Sequence, residues 1–133
     1  QRRAMHEICR NFSKSPSHGN HKKLLNAFAV CGEQVHIEYG FHCDYGDKIY
    51  LGSRVFINCH VTLLDGGEIH LGDDCMLGPN VQILTINHHT NPSERLNKRN
   101  YAANVIVLDN ACPSYTFCMV HNLEKVSRYG KVG

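Results

Sequence analysis

The 133-residue chain contains no tryptophan and no hydrophobic run long enough to span a membrane. No signal-peptide pattern opens it either. Its seven cysteines form no Cys-x-x-Cys pair, so the sequence indicates neither a closed disulfide framework nor a zinc ribbon. We therefore expect a cytoplasmic protein with reduced thiols and no membrane partner.

Strong charge of either sign is also missing, since the formal net charge is only +2. One cluster of basic residues stands near the N-terminus: Arg2, Arg3, Arg10, Lys14, Lys22 and Lys23. No aromatic platform or groove-reading motif accompanies it, so we interpret the cluster as a solvated helical face and expect no nucleic-acid partner.

The middle of the chain carries a regular six-residue repeat. Large aliphatic residues recur every six positions with one slip of two, at Leu51, Ile57, Leu63, Leu71, Leu77 and Ile83. A small or thin residue follows each by four positions, at Val55, Val61, Gly67, Cys75, Val81 and Asn87. Strands alternate with period two and amphipathic helices recur at spacings of three and four, so neither explains the repeat. It is typical of a hexapeptide β-helix, in which each flat face of a triangular coil turns one large aliphatic side chain inward.

Before the repeat, residues 1–34 are predicted to form a helical cap. Apolar residues at helical spacing predict one helix over residues 2–12 and a second over residues 21–30. Pro16 and Gly19 mark the break between them.

The repeat region is predicted to cover residues 35–112, with a polar loop at 87–101. Residues 113–133 show no hexapeptide pattern and are expected to be irregular or disordered. Because the chain starts at Gln1 rather than Met, we expect its natural start to be missing. A β-helix of so few coils needs covering, most simply by other subunits.

Three segments are more specific than the repeat: Phe-His-Cys-Asp-Tyr-Gly at 41–46, Leu-Gly-Asp-Asp-Cys-Met-Leu-Gly-Pro-Asn-Val at 71–81, and His-His-Thr-Asn-Pro-Ser-Glu-Arg at 88–95. Together they resemble the maltose and galactoside O-acetyltransferases, which transfer acetyl from acetyl-CoA to a sugar hydroxyl. The resemblance implies a mainly β protein, a left-handed parallel β-helix with a short N-terminal α-helical cap. It also implies a homotrimer with active sites between subunits and acetyl-CoA as co-substrate.

His88 matches the position of the family's catalytic base. A sugar hydroxyl is a poor nucleophile at neutral pH, and an imidazole with a pKa near 7 can take its proton as it attacks the thioester. Transfer is then direct, without an acyl-enzyme. Taken without the resemblance, His88 is one of ten histidines, lying in a polar loop. The neighbouring His89 stands where the family usually has proline.

Three short polar residues are similar to residues that bind or line the family's acceptor site: Asp44, Asn58 and Asp65. Their side chains would bind sugar hydroxyls. The alternative is a purely structural role, because Asp and Asn tolerate tight turns and bond to their own backbone.

The histidine content raises the question of a metal. The closest groupings, His18-x-x-His21 and His88-His89, have no second pair of suitable ligands nearby in the sequence. We therefore expect no metal.

The C-terminal third departs from the family. There, further coils provide most of the acetyl-CoA groove, whereas here Cys112 replaces a usual tryptophan and Leu108 a usual glycine. No residue is assigned to acetyl-CoA, and the chain looks truncated at both ends. Two hypotheses follow: a sugar O-acetyltransferase with His88 as general base, or an inactive truncated solenoid that serves as a scaffold. An acyltransferase of the same fold acting on an amine or another acceptor also stays open.

Overall fold

The computed structural model describes residues 2–88 and the strands at 100–102, 105–108, 119–121 and 125–126, with side chains described for residues 2–85. Helix α1 spans Arg2–Lys14 and helix α2 spans His18–Asn26. The strands, in chain order, are β1 Val30–Cys31, β2 His36–Ile37, β3 His42–Cys43, β4 Ile49–Leu51, β5 Phe56–Ile57, β6 Thr62–Leu64, β7 Glu68–Leu71, β8 Met76–Leu77, β9 Gln82–Leu84, β10 Ile86–His88, β11 Asn100–Ala102, β12 Val105–Leu108, β13 Met119–His121 and β14 Lys125–Val126.

The described strands form three parallel sheets and one antiparallel pair. The parallel sheets have the orders β1-β4-β7-β12-β14, β2-β5-β8 and β13-β9-β6-β3, and β10 pairs with β11. Residues twenty positions apart stand side by side, as Tyr50 does with His70 and Thr62 with Gln82. Each coil therefore contains three six-residue faces plus two extra residues. The fold is the predicted left-handed parallel β-helix with an α-helical cap.

The predicted repeat forms the core. All six repeat residues are buried: Leu51, Ile57, Leu63, Leu71, Leu77 and Ile83. Burying one such side chain stabilises the fold by roughly 1.5–3 kcal/mol relative to leaving it exposed. At the slip between Leu63 and Leu71, the extra residues place Asp65 and Ile69 inside the coil.

The corners between faces use left-handed backbone at matching positions of successive coils. One corner has φ values of 59°, 58° and 62° at Gln34, Arg54 and Asp74. Its amides bond to the preceding coil, as Asp74 N–H does to the Ser53 carbonyl at 2.9 Å. At another corner, His60 and Asn80 have φ values of 59° and 65°. Such a conformation costs an ordinary residue about 1–2 kcal/mol, which the stacked hydrogen bonds offset.

Helix α1 packs against the first coils through one apolar face. Met5, Cys9 and Phe12 are buried and Ile8 is partly buried, at the helical spacing expected for this segment. A hydrogen bond between the thiols of Cys9 and Cys43 lowers the pKa of Cys9 and raises that of Cys43. Among the described residues, neither helix is long and apolar enough to cross a membrane.

Helix α2 starts three residues earlier and ends four residues earlier than predicted. Ser17 caps it, because its hydroxyl accepts a hydrogen bond from the Asn20 amide at 3.2 Å. At the other end the chain turns into β1, which already pairs with β4. Strand pairing therefore begins at Val30, ahead of the predicted start at residue 35.

Two short strands, β13 and β14, lie within the tail. Residues 113–133 were expected to be irregular, but β13 pairs in parallel with β9 and β14 pairs in parallel with β12. Backbone hydrogen bonds make these pairs, so the strands extend the sheets without a hexapeptide pattern. The other residues of the predicted tail lie outside the described residues.

Candidate functional site

The four predicted site residues all lie at strand ends. Asp44 follows β3 and Asp65 follows β6, and these strands are neighbours in one sheet. His88 ends β10, which begins two residues after β9 of that same sheet. Asn58 follows β5 in a different sheet. The topology thus brings Asp44 and Asp65 together and leaves Asn58 on another face.

Asp65 is fully buried and holds the loop that follows β3. Its Oδ1 accepts the amides of Asp44 at 3.0 Å and Tyr45 at 2.9 Å, and its Oδ2 accepts that of Gly46 at 2.7 Å. Burial raises the pKa of Asp65, and these backbone hydrogen bonds oppose the rise. The contacts are those of the structural alternative, so Asp65 can influence a ligand only through the loop it supports.

One coil later, Thr85 likewise binds the backbone of the loop that follows a strand, here β6. The sequence analysis did not identify this residue. Its buried hydroxyl accepts the Gly67 amide at 2.8 Å and donates to the Leu64 carbonyl at 2.6 Å. The signal was available, because Thr85 follows Asp65 by the twenty-residue length of one coil.

Asp44 presents a carboxylate that is still accessible, with 13% of its side chain exposed. Its Oδ1 lies 3.0 Å from His6 Nε2 and 4.0 Å from His42 Nε2. The two imidazole rings are adjacent, with centroids 4.6 Å apart. Burial lowers the pKa of His42, nearby His6 lowers it further, and Asp44 opposes the shift. No sequence signal pointed to His6, which comes from α1 and is 38 residues from Asp44.

Asn58 is half-buried in a corner. Its Oδ1 accepts the amide of the next residue, Cys59, at 2.8 Å. This local bond is typical of Asn at a turn. It engages the oxygen and leaves the side-chain nitrogen without a hydrogen-bond partner among the described residues.

His88 has a defined backbone position. It pairs with Asn100 across the antiparallel hairpin of β10 and β11, which bounds the predicted polar loop. The hairpin shortens that loop on both sides. The His88 side chain and the segment 89–99 lie outside the described part of the chain.

No family model matches the chain, but curated proteins and solved structures similar to it exist. The galactoside O-acetyltransferase of Lactococcus lactis is 32% identical over 88 residues, which are 65% of this chain and 42% of that protein. The solved structure of a maltose O-acetyltransferase from Clostridium difficile 630 has a TM-score of 0.79 at 27% identity, covering 90% of this chain and 68% of that one. The chain belongs to the maltose and galactoside O-acetyltransferase family. A hexapeptide-repeat acetyltransferase from Vibrio cholerae, solved with acetyl coenzyme A, shares the fold with a TM-score of 0.77 at 21% identity, over 94% of this chain and 77% of that one.

This family member spans half or less of the length of the curated relatives it matches. Within it, the Cys-Asp-Tyr-Gly segment at 43–46 carries both the accessible Asp44 and the three amides that Asp65 binds. One of the three segments that supported the resemblance therefore has three successive amides bound by a buried carboxylate.

Proposed function

We propose that this chain is part of an O-acetyltransferase that moves acetyl from acetyl-CoA to a sugar hydroxyl. The observation that carries the proposal is the accessible Asp44 carboxylate, whose backbone amide is bound by Asp65. It lies at the end of the sheet whose strand β9 leads into β10. Likeness to a galactoside O-acetyltransferase and to a maltose O-acetyltransferase structure supports the same chemistry.

In the proposed reaction His88 is the general base. Its imidazole takes the proton of the acceptor hydroxyl while the oxygen attacks the carbonyl carbon of the thioester. The new carbon–oxygen bond forms and the carbon–sulfur bond breaks. The imidazolium then returns the proton to the sulfur of the leaving coenzyme A, so no covalent enzyme intermediate is needed.

Asp44 and Asn58 bind the acceptor in this proposal. Asp44 Oδ2 has no hydrogen-bond partner among the described residues, so it can accept from a sugar hydroxyl. The free side-chain nitrogen of Asn58 can donate to a sugar oxygen. Asp65 acts indirectly by fixing the amides of residues 44–46. Since Asn58 lies on another face, we further propose a homotrimer whose neighbouring subunits complete each site.

His88→Ala tests the base. We expect the rate of acetyl transfer from acetyl-CoA to galactoside and maltose acceptors to fall at least about 100-fold, since a general base typically contributes 10²–10⁴. The circular dichroism spectrum and the melting temperature should not change. His89→Ala is the matched control and should keep most of the activity. If His88→Ala retains a large share of the rate, His88 is not the base.

Binding of acetyl-CoA decides whether the donor side exists in this chain. Calorimetry should show saturable binding, and light scattering should give the mass of a trimer. A folded protein that binds no acetyl-CoA would instead support the inactive scaffold.

A further inference from the structure

Two imidazoles and one carboxylate converge where the cap meets the first coil. The ligating atoms of His6, His42 and Asp44 all lie within 4.8 Å of one another, and all three residues are partly buried. His6 comes from α1, whereas His42 and Asp44 lie at β3. The sequence predicted no metal because it offered only pairs of neighbouring histidines, and this cluster exists only in the folded chain.

The composition of the cluster suits a divalent transition metal. Two imidazole nitrogens and one carboxylate oxygen are ligands that Zn²⁺ accepts, at about 2.0–2.2 Å from the ion, with a fourth position left for water. Ligand atoms at that distance from a tetrahedral ion lie about 3.3–3.6 Å from one another. The separations of 3.0 Å and 4.0 Å from Asp44 Oδ1 bracket this range.

The residues around the cluster fix the backbone of two of its members and leave its imidazoles accessible to solvent. The backbone of Asp44 is fixed by the hydrogen bond that its amide donates to Asp65 Oδ1. The His42 amide donates a hydrogen bond to the Val61 carbonyl at 3.0 Å, which attaches the β3 backbone to the next coil. In contrast, 26% of the His6 side chain and 41% of the His42 side chain are exposed, which leaves an open path for an ion.

We propose that His6 Nε2, His42 Nε2 and Asp44 Oδ1 form a binding site for Zn²⁺ or a similar divalent transition-metal ion. The ion ties helix α1 to β3, so it stabilises the contact between the cap and the solenoid. The proposal does not depend on acetyl transfer.

The first test is a calorimetric titration of the full chain with Zn²⁺ after treatment with EDTA. We expect one ion per chain and a melting temperature that rises with Zn²⁺ concentration, because the ion binds only the folded form. Titration with Co²⁺ should give visible bands of a nitrogen and oxygen site without the near-ultraviolet band of a thiolate ligand. Absence of saturable binding, or a thiolate band alone, would overturn the proposal.

Variants locate the site. His6→Ala and His42→Ala should each weaken Zn²⁺ binding at least about tenfold, since even the loss of a supporting partner typically costs 10–100-fold. His6→Gln retains a polar side chain toward Asp44 and replaces His6→Ala if the latter does not fold. The matched control is His70→Ala, which removes an imidazole paired with Glu68 at 3.0 Å outside the cluster. Equal Zn²⁺ affinity in all variants would mean that His6 and Asp44 form a hydrogen-bonded pair only.

Discussion

Asp44 and Asp65 are aspartates that each follow a short strand of the same sheet, yet their carboxylates have different surroundings. Asp65 is fully buried and accepts three backbone amides. Asp44 is partly exposed and contacts a side chain, that of His6. Burial therefore separates a residue that shapes a loop from one that can bind a ligand. The sequence analysis grouped them because both match positions in or beside the family's acceptor site.

Asp65→Asn tests the structural role. An asparagine offers one acceptor oxygen, and its NH₂ group would face a backbone N–H, so at least one buried amide loses its partner. We expect the free energy of unfolding to fall by about 1–3 kcal/mol. Urea denaturation measures the change.

The control for that variant lies in the same loop. Asp47 is exposed, so Asp47→Asn should change the free energy of unfolding by no more than about 0.5 kcal/mol. Equal losses in the two variants would show that the hydrogen bonds of Asp65 are not the cause.

At the scale of elements, helix α2 is attached to the first coil through an imidazole. His21 Nε2 accepts the amide of Ile37 in β2 at 3.1 Å, and an accepting nitrogen must be unprotonated. Burial lowers the pKa of His21 below its usual value of 6.5. The charges of His36 and His18 lower it further, and Glu38 opposes them.

The sign of this shift predicts a pH dependence. Because the folded pKa lies below the unfolded one, the folded state binds fewer protons, so His21 contributes stability above the unfolded pKa. That contribution is lost as the pH falls from the unfolded pKa toward the lower folded value. We expect the melting temperature to drop as the pH falls from 7.5 to about 5.5.

His21→Gln should flatten this dependence, since an amide does not titrate in the range. Melting temperatures at matched pH values measure the slope. His18→Gln removes an exposed histidine of the same helix whose charge is a smaller cause of the His21 shift than burial, so it should keep most of the slope. An unchanged slope in His21→Gln would assign the dependence to other groups, such as His42.

For the whole molecule, the last described strands, β13 and β14, cover the C-terminal end of two of the parallel sheets. β13 and β14 satisfy backbone groups of β9 and β12 that would otherwise form open sheet edges. In a solenoid each coil is stabilised mainly by its neighbours, so loss of the last coil exposes the one before it.

Truncation tests this coverage. Deleting residues 114–133 removes both strands, and we expect a lower melting temperature and more self-association by light scattering. Deleting only residues 127–133 keeps both strands and is the matched control, so the longer deletion should have the larger effect on both quantities. If the longer deletion leaves both quantities unchanged, β13 and β14 do not protect the solenoid.

The predictions from sequence were most accurate where the spacing of apolar side chains indicates which residues are buried. The repeat from Leu51 to Ile83 predicted the buried core residues, and the spacing of Met5, Cys9 and Phe12 predicted α1. They failed where the backbone alone acts. β13 and β14 pair through amides and carbonyls, which leave no pattern in the side chains.

The sequence by itself determined the fold class, because a six-residue period requires one inward aliphatic side chain on each face of a coil. It also determined the family, since the Cys-Asp-Tyr-Gly segment at 43–46 and the histidine loop stand at defined places along that repeat. Only the tertiary structure decided that His6 meets Asp44, that Asp65 is enclosed by three amides and that the solenoid continues into the tail. Each of these depends on residues about 20 or more positions apart that become neighbours only when one coil stacks on the next or the cap packs against them.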